Sequence, residues 1–148
     1  MITPGKAGDT MIRCGIDIVE LERINEIRNK HDFDSRIFTE QERVCGAAKG
    51  GRPEYFAGRW AAKEAVAKVL GCGFGKNCSP DEIEILPDDS GAPQLRLTGA
   101  ALKTAERAGI VSWSISISHE KHYAAAVAVA ETVPTQGGHP NEHSVDRR

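Results

Sequence analysis

Residues 53–70 read PEYFAGRWAAKEAVAKVL and form the most informative helical pattern of the sequence. Pro53 suits the first position of a helix because its φ angle is already helical, and Gly71 supplies a helix stop. Bulky side chains cover more than half of the helical wheel, so we expect the helix to be buried on several sides. These side chains are Tyr55, Phe56, Trp60, Val66, Val69 and Leu70.

Two charged residues of this helix, Glu64 and Lys68, are spaced to project in the same direction. Around them lie only Ala57, Ala61 and Ala65, and such small neighbours leave a groove that a ligand could occupy. The alternative is an ordinary i to i+4 ion pair on an exposed strip, worth a few tenths of a kcal/mol. We favour a functional role because a partly buried carboxylate needs a cation or hydrogen bonds to offset its desolvation.

Shorter elements flank the long helix on both sides. The sequence predicts a strand over 11–19 with both faces partly covered, a helix from Leu21, a capping-box helix from Thr39 to Ala48, a hairpin over 83–86 and 94–97, a helix capped by Thr98 up to Ala108, and strands over 111–118 and 123–130. This order predicts an α+β domain whose mainly antiparallel sheet packs against the long buried helix.

The composition fits one domain with a core of Ala, Val, Ile and Leu. The 148 residues are 40% hydrophobic and only 5% aromatic. We expect a disordered extension over 1–10, a domain over 11–130 and a flexible tail over 131–148, because both ends are rich in Gly and Pro.

Charge and cysteine usage exclude several classes of protein. The net charge of −2 argues against nucleic acid as the main partner, since such binders need clustered positive charge. The four cysteines form no C-x-x-C pair and are expected to be reduced thiols. The sequence contains no run of about 18 apolar residues, which a membrane span would need, and no signal peptide is recognisable. We therefore expect a cytoplasmic protein.

Asp17 interrupts the apolar first strand, where Asp is unfavourable. It either caps the following helix or binds a metal ion. Two carboxylates from separate elements, Asp17 and Glu64, suit Mg²⁺, which completes its coordination with water and phosphate oxygens.

Two further segments have both a structural and a functional interpretation. The loop after the long helix, with Gly71, Gly73, Gly75 and Lys76, is either a helix stop or a backbone that approaches a phosphate. His119 ends the Ser-rich strand, and a lone histidine in a turn is usually structural. His119 and His122 have zinc-ligand spacing, but no further Cys or His supports a zinc site.

Three segments together resemble the 4′-phosphopantetheinyl transferases, and more narrowly the small holo-acyl-carrier-protein synthases. They are Gly15-Ile16-Asp17-Ile18-Val19 with Arg23-Ile24, Phe56-Ala57-Gly58-Arg59-Trp60-Ala61-Ala62-Lys63-Glu64-Ala65 with Lys68, and Ser116-Ile117-Ser118-His119 with Tyr123-Ala124-Ala125-Ala126. The likeness runs in order from about Met11 to Ala130, and the Lys-Glu-Ala motif with its later Lys is its most specific part.

The resemblance implies transfer of the phosphopantetheine arm of coenzyme A to a serine of apo acyl carrier protein, in support of fatty acid biosynthesis. It implies Mg²⁺ bound by Asp17 and Glu64, and catalytic roles for Glu64, Lys68 and His119. The serine proton would go to His119, to Glu64 or to a water on the metal.

The resemblance also implies how the substrates bind. It assigns coenzyme A to Lys68, Gly71, Gly73, Gly75, Ser118 and His119, and the carrier protein to Arg23, Arg28 and Arg59. Lys30, Arg36 and Arg43 extend this basic patch, although Glu22 and Glu26 share the first helix and weaken it. The small family's pattern is a homotrimer with sites between subunits. The competing hypotheses are a Mg²⁺-dependent phosphohydrolase and an inactive module that binds coenzyme A or carrier protein.

Overall fold

The structure, a computed structural model, describes residues 10–30 and 32–134. The elements in chain order are β1 (Met11–Glu20), α1 (Leu21–Arg28), α2 (Phe33–Ile37), α3 (Glu40–Ala48), α4 (Pro53–Leu70), a 3-10 turn (Pro80–Glu82), β2 (Ile83–Pro87), β3 (Pro93–Leu97), α5 (Gly99–Arg107), β4 (Ile110–His119) and β5 (Tyr123–Thr132).

The predicted α+β class is confirmed. The sequence did not predict α2 or the 3-10 turn. Strand β5 continues two residues beyond the predicted end of the domain. Most of the predicted extension (1–9) and tail (135–148) lies outside the described residues.

All strand pairs are antiparallel, as predicted. One sheet has the order β1-β5-β4, and β2 pairs with β3 in a separate hairpin. Helix α4 lies across the inner face of the larger sheet, so this sheet and this helix enclose the main core. As predicted, that core consists mostly of Ala, Val, Ile and Leu, while Phe38, Tyr55 and Phe56 form a separate aromatic cluster.

The expectation that Ala57, Ala61 and Ala65 leave a groove beside Glu64 is wrong, although Glu64 does line a cleft whose wall comes from other residues. Ala57, Ala61 and Ala65 are completely buried, and the alternate alanines of β5, from Ala124 to Ala130, are buried too. Small side chains on both surfaces let helix and sheet approach closely. The closest approach is at Gly15, where an added Cβ atom would lie 2.2 Å from the carbonyl oxygen of Ala65.

The opposite face of the larger sheet is open, so the expectation that both faces of β1 are partly covered is also wrong. Ile12, Ile16 and Ile18 point away from α4, and each is about 65% exposed. Ile16 pairs with Val127 and Ile18 with Ala125 across β5, and the serines of β4 continue this face. The described chain therefore leaves an apolar sheet surface without a covering helix.

A buried ion pair ties α3 to α4. Lys63 and Glu42 are both inaccessible to solvent, and Lys63 Nζ lies 2.8 Å from Glu42 Oε2. Lys63 also donates to the carbonyl oxygens of Pro80 (2.8 Å) and Ile83, while Glu42 accepts from the backbone N–H of Ile85 at 2.8 Å. These bonds satisfy the buried charges, as burial in an apolar core requires.

Helix capping follows the sequence in one case and departs from it in another. Thr39 and Glu42 form the predicted capping box at α3. Thr98 precedes α5 but its side chain makes no capping bond. Glu82 replaces it, because its carboxylate accepts from the backbone N–H groups of Ala100 at 2.9 Å and Ala101 at 3.1 Å.

All four cysteines are free thiols, as expected. Among the described residues, none of the helices has the length and apolarity that crossing a membrane requires.

Candidate active site

The close contact at Gly15 brings Asp17, Glu64 and Lys68 to one place. Strand β1 carries Asp17 along the face that packs on α4. Lys68 Nζ lies 3.3 Å from Asp17 Oδ1 and donates a 2.7 Å hydrogen bond to the backbone carbonyl of Ile16. Among the described residues, the ion-pair partner of Lys68 is therefore Asp17 on the neighbouring strand. The interpretation of Lys68 as half of a simple Glu64–Lys68 pair is not supported.

Glu64 has an environment that disfavours its charge. Burial raises the pKa of Glu64, and the nearby Asp17 carboxylate raises it further, while Lys68 partly offsets both effects. Two neighbouring carboxylates with one ammonium group, which is paired with Asp17, are a donor set with excess negative charge. A divalent cation would relieve that repulsion.

Asp17 and Glu64 lie at a cavity of about 520 Å³, which we call the first cleft. Asp17 and Glu64 line one side, and exposed Arg23 of α1 lies at the same cleft. Ile24, Ile27, Phe33, Trp60 and Tyr123 supply its apolar and aromatic wall. The cleft thus combines acidic groups with an apolar wall, as small-molecule sites commonly do.

The structure places His119 in a different cleft, of about 770 Å³. Its cationic lining comes from Lys49, Arg52 and Arg59, and Glu54 is the one carboxylate among its lining residues. Positive side chains around an open cavity favour an anionic ligand. In a single chain, His119 and Glu64 therefore line separate clefts.

The predicted coenzyme A residues are spread around the C-terminal end of α4 and the end of β4. Gly71 ends α4 with a φ angle of 74°, a conformation that favours glycine, whereas a Cβ atom at Gly73 or Gly75 would meet open space. The loop packs against the wall of the first cleft, because the ring centroid of Phe74 lies 5.7 Å from that of Trp60, which lines the cleft. Ser118 is exposed on the outer face of β4.

The three predicted carrier-binding arginines differ in their surroundings. Arg23 is exposed beside the first cleft. Arg28 is held inside the fold by a bidentate pair with Asp34 at 2.9–3.2 Å, and its guanidinium lies 3.4 Å from the ring centroid of Phe56. Arg59 donates to the carbonyl oxygen of Ile85 at 3.2 Å and lines the second cleft.

The side chains that can bind metal ions form no large cluster in the part of the chain that the structure describes. No group of three or more His, Cys, Asp or Glu side chains there is placed to hold a metal ion. A site with two protein carboxylates remains compatible with Mg²⁺, which takes most of its ligands from water and phosphate.

Comparison with known proteins decides the family. The model of the 4′-phosphopantetheinyl transferase superfamily matches residues 13–128, which include the acidic pair, Lys68 and His119. The chain belongs to this superfamily.

Curated relatives and solved structures agree with that assignment. The holo-[acyl-carrier-protein] synthase of Solidesulfovibrio magneticus is 49% identical over 125 residues, covering 82% of this chain and 99% of the relative. That of Hydrogenovibrio crunogenus is 40% identical over 124 residues, covering 82% and 98%. The crystal structure of the Helicobacter pylori enzyme in complex with coenzyme A has a TM-score of 0.69 and 36% identity, covering 81% of this chain and 99% of that one.

Sequence reasoning missed several residues that line the clefts of this transferase. Lys49 and Arg52 of the second cleft flank the two glycines, Gly50 and Gly51, that follow α3. Two cations beside flexible glycines are the signal that could have identified them. Phe33 and Tyr123 of the first cleft come from distant parts of the chain and have no shared local pattern.

Proposed function

We propose that this protein transfers 4′-phosphopantetheine from coenzyme A to a serine of apo acyl carrier protein and releases adenosine 3′,5′-bisphosphate. The observation that carries the proposal is the meeting of Asp17, Glu64 and Lys68 beside the first cleft, in a chain of the phosphopantetheinyl transferase superfamily. The names of its relatives and their complexes with coenzyme A support both substrates. Through the holo carrier protein, the reaction would serve fatty acid biosynthesis in the cytoplasm.

Asp17 and Glu64 would hold Mg²⁺ in this proposal. The fit rests on the donor set, which is two carboxylates from different elements. Burial first, and the Asp17 carboxylate second, raise the pKa of Glu64, and a bound cation would offset both effects. When bound, the ion would supply positive charge to the pyrophosphate of coenzyme A and to the leaving phosphate.

Lys68 would bind the same phosphate oxygens and hold them in place. Its ammonium is oriented by the carbonyl oxygen of Ile16 and by Asp17, so little reorganisation is needed when an anion arrives. Trp60 and Tyr123 would exclude water from the reacting phosphorus. Glu64 and His119 are the proposed acceptors of the serine proton.

The nucleotide end of coenzyme A would occupy the second cleft, against His119 and Ser118. The glycines 71, 73 and 75 would contact coenzyme A from the loop beside the first cleft. Lys49, Arg52 and Arg59 give that cleft the positive charge that phosphate groups favour. Because the acidic pair and His119 lie in separate clefts of one chain, a complete site would combine the first cleft of one subunit with the second cleft of its neighbour.

We propose a homotrimer with such composite sites. The open sheet face with Ile12, Ile16 and Ile18 offers an apolar surface for subunit contact. Light scattering should give the mass of three chains, and a monomer at assay concentration would contradict this assembly.

Carrier protein would dock at the basic residues near the first cleft. Arg23 is exposed at the rim and available to an acidic partner. Arg28 belongs to the same proposed surface, whereas Arg59, the third proposed carrier-binding arginine, lines the second cleft. Their contacts with Asp34 and with the Ile85 carbonyl give them a structural role as well.

One assay separates this proposal from its alternatives. The protein is incubated with apo carrier protein, coenzyme A and Mg²⁺, and the mass of the carrier is followed. A gain of one phosphopantetheine supports the transferase. Cleavage of coenzyme A without that gain would indicate a phosphohydrolase, and binding without either product would indicate an inactive module.

A further inference from the structure

The turn between β4 and β5 joins the two clefts. It consists of residues 120–122 and lies between His119, the last residue of β4, and Tyr123, the first residue of β5. His119 lines the second cleft, whereas Tyr123 lines the first. The shape of one short turn therefore affects side chains at both clefts.

The residues of this turn do not favour a tight bend by themselves. They are Glu120, Lys121 and His122. Turns are usually built from Gly, Pro, Asn, Asp or Ser, which supply suitable φ angles or hydrogen-bond to the nearby backbone. None of these five residue types occurs at 120–122, so another contact must hold the turn.

The side chain of Glu120 supplies that contact. Its Oε1 atom accepts the backbone N–H of His122 at 2.7 Å and that of Tyr123 at 2.8 Å. The backbone N–H of Glu120 donates to the Tyr123 carbonyl at 2.9 Å. Glu120 thus binds the backbone of Tyr123 twice, once through its main chain and once through its carboxylate.

The same turn also caps helix α1. The carbonyl oxygen of His122 accepts the first N–H of the helix, that of Leu21, at 2.9 Å. Glu20, which precedes the helix, makes no side-chain capping bond. Because the first N–H groups of a helix have no partner within it, the turn fixes the start of the helix that carries Arg23 to the first cleft.

We propose that Glu120 is a positioning residue, which fixes the turn so that His119 lies at the second cleft and Tyr123 at the first. The inference rests on the proposed function for what the two clefts bind. Glu120 itself contacts no substrate and acts only through His119 and Tyr123.

The charge of Glu120 gives the proposal a definite sign. The backbone N–H groups, chiefly that of His122, lower the pKa of Glu120, so the carboxylate is ionised near neutral pH. A negative charge next to His119 opposes the binding of an anion in the cationic second cleft. Loss of the charge alone would therefore strengthen anion binding, whereas loss of the position of His119 would weaken it.

The test measures the binding of adenosine 3′,5′-bisphosphate, the proposed product, to the full chain by calorimetry. Glu120→Ala should bind it about tenfold more weakly, which is comparable to the loss of one hydrogen bond. Glu120→Gln keeps an oxygen that can accept both N–H groups, and it should bind as wild type does. Unchanged or tighter binding by Glu120→Ala, or an equal loss in both variants, would overturn the proposal.

A double substitution shows whether Glu120 acts through His119. His119→Ala should weaken binding, and adding Glu120→Ala should cause no further loss, because residues that act together are not additive. A second loss of about tenfold would overturn the proposal, since it would indicate general damage to the fold. Glu106→Ala, at an exposed position of α5, controls for removal of a surface charge and should leave binding unchanged.

Hydrogen exchange tests the turn without any ligand. The amides of His122 and Tyr123 should exchange faster in Glu120→Ala than in wild type, because they lose their acceptor, and Glu120→Gln should keep them protected. Unchanged exchange of both amides in Glu120→Ala would contradict the contact on which the proposal depends.

The transfer assay separates this inference from the proposed function. Glu120→Ala should raise the KM for coenzyme A through His119 and lower kcat through Tyr123, and Glu120→Gln should restore both. Normal transfer by Glu120→Ala would overturn the inference alone. Wild-type protein that binds the bisphosphate but transfers no phosphopantetheine would contradict the proposed function alone, because the binding comparison still decides the role of Glu120. A wild-type chain that binds no bisphosphate would overturn both.

Discussion

Gly15 of β1 touches the backbone of Ala65 so closely that any side chain at residue 15 would collide with it. A Cβ atom there would lie 2.2 Å from the Ala65 carbonyl oxygen and 3.1 Å from Lys68 Cβ. The contact sets the spacing between the strand that carries Asp17 and the helix that carries Glu64 and Lys68. It therefore links the packing of the core directly to the geometry of the candidate site.

Gly15→Ala should destabilise the protein and separate the acidic residues. Overpacking of this kind costs about 1–3 kcal/mol in the free energy of unfolding, occasionally more. Urea denaturation gives the cost, and the transfer assay should show a larger loss than partial unfolding explains. Gly73→Ala is the control because its Cβ meets open space, and an equal loss of stability there would contradict the packing argument.

Two inactive variants should restore activity when mixed, if each site combines two subunits. Co-expressed Glu64→Gln and His119→Ala chains would form complete sites at about one quarter of the subunit contacts, the fraction expected for random cyclic assembly. The recovered activity is measured against wild-type protein. Glu64→Gln mixed with Lys68→Met is the control, since both changes fall on the same side of the site and no complete site forms. Failure of the first pair to exceed the second would rule out the composite site.

Glu64→Gln should stabilise the metal-free protein near neutral pH. Since burial raises the pKa of Glu64 in the folded state, stability from this group is complete below its unfolded pKa and is lost as the pH rises through the folded value. The variant should thus melt at a higher temperature than wild type in chelator at pH 7–8. The difference should disappear as the pH falls toward the ordinary glutamate pKa of about 4.3.

In a second measurement, the melting temperatures of wild-type protein and Glu64→Gln are compared with and without Mg²⁺. The ion should raise the melting temperature of wild-type protein and not that of Glu64→Gln, because ligand binding to the folded state stabilises it. Glu26→Gln, at an exposed position of α1, controls for removal of a surface charge. A Glu64→Gln variant less stable than wild type in chelator at neutral pH would contradict the expected sign.

Replacing Lys63 should mainly lower the stability of the protein, whereas replacing Lys68 should mainly lower its transfer rate. Lys63→Met breaks a completely buried ion pair and leaves Glu42 uncompensated, at a cost of about 3–5 kcal/mol of stability. Lys68→Met removes a half-exposed pair worth less than about 1 kcal/mol. Its transfer rate should nevertheless fall by roughly 10²-fold, the typical cost of losing one charge-stabilising donor. Urea denaturation and the transfer assay are measured on both variants. Similar losses of stability and of transfer rate in the two variants would contradict this expectation.

Arg23→Ala and Arg28→Ala should separate carrier docking from folding. Arg23 is exposed, so its loss should raise the KM for carrier protein and reduce the salt dependence of transfer, with stability unchanged. Arg28 is held by Asp34 and Phe56, and its loss should cost about 1.5–3 kcal/mol of stability, as for hydrogen bonds between charged groups. Steady-state kinetics at two salt concentrations and thermal melting test both variants. An unchanged KM for Arg23→Ala would remove Arg23 from the docking surface.

Local signals in the sequence were sufficient for most elements of the fold, although not for α2 or the 3-10 turn. Pro53 and Gly71 delimit α4, and the spacing of Thr39 and Glu42 predicts the start of α3, because these effects act within one or two helical turns. The alanines beside Glu64 were misinterpreted since small side chains suit both a groove and a tight helix–sheet contact. Only the position of Gly15 on the facing strand distinguishes the two.

Local sequence patterns could not predict contacts between residues that lie far apart in the chain. Lys63 meets Glu42 across the fold, and no periodicity relates the two positions. The alternation in β1 predicts two faces but does not say whether an apolar face is covered by the same chain or by another. The site residues taken from the family resemblance stay predictions. The structure brings Asp17, Glu64 and Lys68 together and leaves His119 in another cleft.

Lys63 and Glu64 are neighbours in the chain, yet they face different parts of the molecule. Lys63 points into the core toward Glu42, and Glu64 points to the first cleft. If Glu64 has its proposed catalytic role, the same short motif encodes architecture in one residue and chemistry in the next. A related chain that keeps Lys63 and Glu42 but has lost Glu64 would still fold and would match the family, while lacking catalysis. Such pseudoenzymes can be recognised only by inspecting the two positions separately.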